Sequence, residues 1–238
     1  MKFPNAAKGV KQIFYAIIIS IIVMALTVVG ALFILVAGEN EASPLFALAG
    51  SIGIAVLVGA IAYLVLELVG TNRASKDNGK FKTAFYCIIA NLIFSIIGGF
   101  FNSDLIQDVV SVMTTALDLA LAYYIFTGII ELATDIKNDA MVEKGKKFRK
   151  LYVIIFIVAL ILDAVAAFTD TAEGLLAISS VLSIVAGIAS IAAFVLFFLY
   201  VKEAVPMLEN ARIVEEKSEG EPASSNLDAT EEKKDDFE

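Results

Sequence analysis

Six long apolar stretches, separated by short polar segments, make up most of the chain. They cover residues 13–37, 45–70, 83–101, 105–134, 151–168 and 174–205. A helix of about 20 apolar residues spans the hydrocarbon core of a bilayer, and each stretch has roughly that length. The chain is 59 % hydrophobic, more than one soluble core would accommodate. The pattern therefore predicts an all-α, polytopic transmembrane bundle of six helices.

The first stretch follows three lysines, as the apolar part of a secretory signal would. It is longer than the roughly 7 to 15 apolar residues of such a signal, and no small-residue cleavage site follows it. We expect it to be a retained first helix.

A short motif recurs before every second stretch. Each copy joins a glycine and basic residues to aromatic residues and an apolar run: GVKQIFYAII at 9–18, GKFKTAFYCII at 79–89 and GKKFRKLYVII at 145–155. Fixed spacing of this kind is typical of duplicated units. We predict three helical-hairpin repeats at about 9–78, 79–144 and 145–210, together forming a transmembrane domain of residues 1–210.

Two residues suggest where helices end. Gly145 is an expected end of the fourth helix, if that helix continues beyond its apolar stretch, and Pro206 is expected to end the sixth. Beyond Asn210 the chain is rich in Glu, Lys, Ser and Asp and has few large apolar residues. Residues 211–238 are therefore predicted to form a disordered, acidic, cytoplasmic tail.

The basic residues predict the orientation. All 18 Lys and Arg lie at the N-terminus, between the second and third stretches, between the fourth and fifth, or near the C-terminus. The opposite loops hold no base and these acids: Glu39, Glu41, Asp104, Asp108, Asp170 and Glu173. By the positive-inside rule both termini are cytoplasmic, in a membrane we expect to be a prokaryotic plasma (inner) membrane. The basic loops suit the anionic head groups of lipids.

The net charge of −8 mostly reflects the C-terminal segment, since residues 207–238 contain 11 acidic and 4 basic residues. No basic face for nucleic acid is predicted. The chain has no histidine and a single cysteine, Cys87. Imidazole acid–base chemistry, a zinc helix and a thiolate metal cluster are thus excluded, and no phosphate-binding glycine loop is present. We expect no enzyme, no catalytic residues, no metal and no cofactor.

Polar residues inside the apolar stretches are the candidate intramembrane site. A carboxylate at the centre of a membrane helix costs about 3 kcal/mol and often has a function. The candidates are Asp118, Asp163, Asn91, Ser111 and Thr115. They form either a pathway for protons or cations, with Asp118 at its centre, or hydrogen-bonded groups that hold helices together.

A second set of carboxylates recurs, one near the cytoplasmic end of each returning helix: Glu67, Glu131 and Glu203. We expect them to reach cytoplasmic water or to pair with nearby Lys and Arg; the alternative is a ring at a cytoplasmic vestibule. The seven tyrosines lie in the cytoplasmic halves of the stretches, where an interfacial aromatic belt is expected.

Small residues at steps of four predict close helix packing, within the chain or between copies in a homo-oligomer. Two stripes have this spacing: Ala47, Ser51, Ala55 and Gly59 in the second stretch, and Ser179, Ser183, Gly187 and Ser190 in the sixth. The sequence favours a non-enzymatic structural or accessory membrane protein. The alternative is a small proton- or cation-coupled transporter or channel that uses the polar stripe around Asp118.

Overall fold

The computed structural model describes residues 3–38, 44–101, 104–170 and 176–220. These residues form six helices: α1 (Pro4–Ala37), α2 (Pro44–Ala74), α3 (Gly79–Phe100), α4 (Asp104–Asp135), α5 (Asp139–Asp170) and α6 (Leu176–Gly220). The all-α prediction is confirmed for this part of the chain.

Five segments are long and apolar enough to cross a membrane: α1, α2, α3, residues 109–135 of α4 and residues 184–211 of α6. The fifth helix is not among them. Its predicted apolar stretch, residues 151–168, contains several side chains outside the described part of the structure. The chain is a helical integral membrane protein.

The helices pack as three antiparallel pairs that close into a ring. The closest pairs are α1 with α2, α3 with α4, and α5 with α6. Fewer contacts between α2 and α3, α4 and α5, and α6 and α1 complete the ring, and α4 also touches α6 across it. Short connections between consecutive helices favour this neighbour-to-neighbour arrangement.

The buried core lies in one half of the bundle. We call this half the basic end, because it carries the start of α1, the α2–α3 and α4–α5 turns, and the lysine-bearing part of α6. Buried side chains such as Val10, Phe81, Ile129 and Val201 all lie there. In the opposite half large apolar side chains are exposed, among them Leu35 at 77 %. Such a surface suits lipid, which solvates apolar groups as well as a protein core does.

Side-chain caps hold the turns at the basic end. The Asn78 side chain accepts a hydrogen bond from Lys80 N (2.8 Å), and Asn138 Oδ1 accepts one from Met141 N (3.1 Å). Asp77 accepts hydrogen bonds from the backbone N–H groups of Asn5 (2.9 Å) and Ala6 (2.7 Å). These N–H groups of the first turn of α1 have no partner within their own helix, so Asp77 joins α1 to the α2–α3 turn.

Two of the three repeated glycines, Gly9 and Gly145, lie inside helices, and for Gly145 this contradicts the predicted end of the fourth helix. Gly79 is the first residue of α3, but α1 begins at Pro4 and α5 at Asp139, ahead of Gly9 and Gly145. Proline is well suited to a first helical turn, and Asn138 caps α5. The fourth helix ends at Asp135, also before Gly145.

Gly9 and Gly145 instead lie where helices cross closely. A Cβ atom on Gly9 would lie 2.7 Å from Ala74 N, and one on Gly145 would lie 2.6 Å from Ile130 Cγ1. A glycine permits these approaches because it has no side chain.

The prediction that Pro206 ends the sixth helix is wrong, because Pro206 lies inside α6. Val201 and Ala204 before it and Leu208 after it are all buried. Their packing offsets the cost of about 3 kcal/mol that proline brings to a helix interior. The helix continues to Gly220 and so includes the first ten residues of the predicted disordered tail. Residues 221–238 of that tail lie outside the described residues.

The small-residue stripe of α2 is not buried inside the chain. Ala47, Ser51 and Ala55 are exposed, whereas a Cβ atom added to Gly59 would lie 2.5 Å from Val23 Cγ2 of α1. In α6, Gly187 faces open space and Ser190 is exposed, whereas the side chains of Ser179 and Ser183 lie outside the described part.

Candidate functional site

A cavity of about 250 Å³ lies inside the ring and is bounded by helices of all three hairpins. We call it the central cavity. Its lining comes from α1, α2, α4, α5 and α6: Ile17, Ser20, Tyr63, Glu67, Asp118, Leu121, Ala122, Tyr152, Phe156, Ser190, Ala193, Phe194 and Phe197. Five of these side chains are aromatic, two are carboxylates, and none is basic.

A second cavity, of about 280 Å³, lies between α2, α3 and α4; we call it the side cavity. Its lining is Tyr63, Leu64, Glu67, Ile88, Asn91, Leu92, Ser95, Asp118 and Leu121. Tyr63, Glu67, Asp118 and Leu121 belong to both linings, so the two cavities adjoin at the carboxylates.

Asp118 lies at the middle of α4; its side chain is exposed and borders both cavities. Asn91 Nδ2, on α3, donates a hydrogen bond to Asp118 Oδ1 at 2.5 Å. The structure therefore brings together two of the predicted site residues. The short bond also joins the two helices of the second hairpin, as expected of a polar group between membrane helices.

Glu67 differs from the expectation that it reaches water or pairs with a base. Only 7 % of its surface is exposed, and no Lys or Arg pairs with it among the described residues. Tyr63, one turn earlier on the same helix, lines the same cavity. Glu67 faces inward because α2 turns this side of the helix toward the ring, where Thr71 is also buried.

The other two recurring glutamates pair with polar side chains at the basic end. Glu131 Oε2 accepts a hydrogen bond from Asn78 Nδ2 (2.9 Å), and its other oxygen lies 3.7 Å from Lys80 Nζ. Glu203 Oε1 lies 2.5 Å from Lys144 Nζ. Neither glutamate lines a cavity described above, so the three glutamates do not form one ring.

Two of the three remaining predicted residues lie outside both cavity linings. Ser111 and Thr115 do not contribute to either lining, and the Ser111 carbonyl accepts a hydrogen bond from Thr114. Asp163 belongs to α5, and its side chain lies outside the described part of the structure.

The aromatic wall of the central cavity was not predicted. Tyr63 and Tyr152 were expected in an interfacial belt, but both line the cavity, and Tyr152 is buried. Tyr200, also expected in the belt, is fully buried in the core. The spacing of four between Tyr63 and Glu67 puts both on one face of α2, a signal that the sequence does contain.

The arrangement can accept a proton or attract a cation. Carboxylates and hydroxyls provide oxygen atoms, the aromatic rings provide electron-rich faces, and the lining has no positive charge to neutralise the acids. Among the described residues no group of three or more Cys, Asp or Glu could hold a metal ion.

The fold and these cavities define the class of protein, a helical membrane protein with acidic groups inside its bundle. Comparisons with models of protein families, with curated proteins and with solved structures found no match to the chain.

Proposed function

We propose that this chain is a small cation- or proton-coupled transporter or channel whose coupling site is formed by Glu67 and Asp118. One observation carries the proposal: two carboxylates from different hairpins line the same cavity, with no base in its lining. The proposed role is non-enzymatic.

The energetics of Glu67 favour this role over simple helix packing. A carboxylate within a membrane helix costs on the order of 3 kcal/mol. Asp118 recovers part of that cost by joining α4 to α3 through Asn91. Among the described residues, no hydrogen bond or ion pair joins the Glu67 side chain to another helix. A function that needs the carboxylate explains why an acid lies at this position.

Flux in liposomes tests the proposal. We expect the purified full-length protein to carry protons or small cations, and Glu67→Gln or Asp118→Asn to reduce that flux at least tenfold. Each amide keeps the size of the side chain but neither ionises nor attracts a cation. Glu203→Gln is the matched control, because it removes a carboxylate that pairs with Lys144 outside the cavities.

The control is expected to carry cations like the wild type. Flux that persists unchanged in both Glu67→Gln and Asp118→Asn would refute the proposed site. An equal loss of flux in the control variant Glu203→Gln would also refute the proposed site.

A structural or accessory role is the second candidate, and the bond from Asn91 to Asp118 favours it. If Asp118 only joins helices, Asp118→Asn changes the free energy of unfolding by no more than about 1 kcal/mol, and Asp118→Leu costs more because Asn91 loses its partner. The wild-type protein would then show no flux above that of empty liposomes.

We propose a location in a prokaryotic plasma (inner) membrane with both termini in the cytoplasm. The described bases lie at one end of the bundle, which supports this orientation. Anionic lipid head groups are the proposed partners of that end, through side chains such as the exposed Lys76 and Lys146.

A homo-oligomer through the exposed small-residue stripe of α2 is a further proposal. Ala47, Ser51 and Ala55 leave room for a second helix to approach closely. The mass of the complex in nanodiscs tests it, and a monomer would rule it out.

A further inference from the structure

The proposed function does not specify which kind of cation is bound. The residues that line the central cavity favour one chemical class of cation. We propose that the central cavity binds a small organic ammonium ion in preference to a bare metal ion. This inference rests on the proposed function, since it names the cation that Glu67 and Asp118 would hold.

Aromatic rings of α5 and α6 make up much of the lining of the central cavity. Phe194 and Phe197 come from α6, and Tyr152 and Phe156 from α5. The centroid of the Tyr152 ring lies 5.8 Å from that of Phe156 and 6.2 Å from that of Phe197, so these three rings form one continuous patch. The faces of such rings attract cations that lie within about 6 Å of the ring centroid.

The two carboxylates supply negative charge to the lining of the same cavity. Glu67 and Asp118 come from α2 and α4, and they line the same cavity as the aromatic patch. An ammonium group in the cavity would be near both the carboxylates and the rings. Apolar surroundings and the absence of a basic side chain from the lining strengthen both attractions.

A bare metal ion fits the same walls less well. Ca²⁺ and Mg²⁺ take about six or more oxygen ligands, and aromatic carbons supply none. Among the described residues no group of three or more acidic or thiol side chains is placed to bind a metal. A volume of about 250 Å³ leaves room for the methyl groups of a small ammonium ion, which would contact the rings.

Calorimetric titration of the full-length protein in nanodiscs tests the inference. The probes are choline, its uncharged carbon analogue 3,3-dimethylbutanol, and sodium chloride. The first two share a shape and differ in charge, so their difference reports recognition of the cation. We expect choline to bind at least tenfold more tightly than either of the other probes.

Two phenylalanines of α6 supply a matched pair of variants. Phe194 lines the cavity, whereas Phe198, one turn further on, stacks on Phe14 of α1 with centroids 5.6 Å apart. Phe194→Leu is expected to weaken choline binding about fivefold or more, and Phe198→Leu to leave it unchanged. Phe156→Leu serves as a second cavity variant should Phe194→Leu fail to fold.

Each outcome decides the inference. Equal binding of choline and 3,3-dimethylbutanol, or unchanged choline affinity in the folded cavity variants, overturns it. If choline does not bind but proton or sodium flux still depends on Glu67 and Asp118, the inference fails and the proposed function stands. Choline binding with the expected variant pattern but without flux of any cation would support the inference and refute transport.

Discussion

At the scale of single residues, the buried hydroxyl of Tyr200 stands out. The side chain is fully buried, its ring stacks on Phe126 at 5.1 Å, and its oxygen has no hydrogen-bond partner among the described residues. An unsatisfied buried hydroxyl costs about 1 to 3 kcal/mol.

Removing that hydroxyl should stabilise the protein. We expect Tyr200→Phe to raise the free energy of unfolding in detergent by about 1 kcal/mol, because the ring contacts remain and the desolvated oxygen is lost. Tyr152→Phe is the control, since the Tyr152 side chain reaches the central cavity, and no gain is expected from it. A destabilised Tyr200→Phe would mean that the hydroxyl has a partner.

At the scale of helices, stability depends on close crossings at glycines. The α5 helix passes α4 and α6 at Gly145, where an added Cβ atom would clash with Ile130 and with the Tyr200 ring. Gly79, by contrast, has open space around it at the start of α3.

The surroundings of Gly145 and Gly79 therefore predict different effects of substitution by alanine on the free energy of unfolding. Gly145→Ala should lower the free energy of unfolding by about 1 to 3 kcal/mol, because overpacking moves a helix or a ring. Gly79→Ala should be neutral or slightly stabilising, because alanine favours a helix more than glycine does. Thermal unfolding of both variants in one detergent measures the difference, and equal midpoints would contradict the crossing at Gly145.

At the scale of the whole molecule, the orientation in the membrane can be measured directly. In a Cys87→Ser background, we expect a cysteine at Ser43 to react with an impermeant thiol reagent added to intact cells, and one at Lys76 to react only after the cells are opened. The reason is that bases are retained on the cytoplasmic side. The reverse pattern would invert the proposed orientation.

The helices were predictable because their signal is local. Long apolar stretches must satisfy their backbone hydrogen bonds internally in lipid, so their number and type follow from composition and length alone. Helix ends were less predictable. Pro206 and Gly145 normally stop helices, but packing on both sides of Pro206 and the cap at Asn138 moved the ends elsewhere.

Within the candidate site, sequence reasoning identified some residues but not their grouping. Asn91 and Asp118 were predicted together because both are polar and deep in apolar stretches, and they are hydrogen-bonded. Ser111 and Thr115 share a stripe with Asp118 but do not line either cavity. The polar face of α4 extends beyond the part of the helix that borders the cavities.

The sequence by itself determined the class of protein, the six helices and the segregation of charge, since each depends on residue type and spacing along the chain. Only the tertiary structure decided which of the three recurring glutamates is buried beside a cavity and which two pair with lysines. Glu131 and Glu203 pair with neighbouring lysines, whereas Glu67 is turned into the ring beside Asp118 and the aromatic side chains of α5 and α6. The physical reason is that helices distant in sequence create the cavity, and no local pattern records how far each helix is rotated toward it.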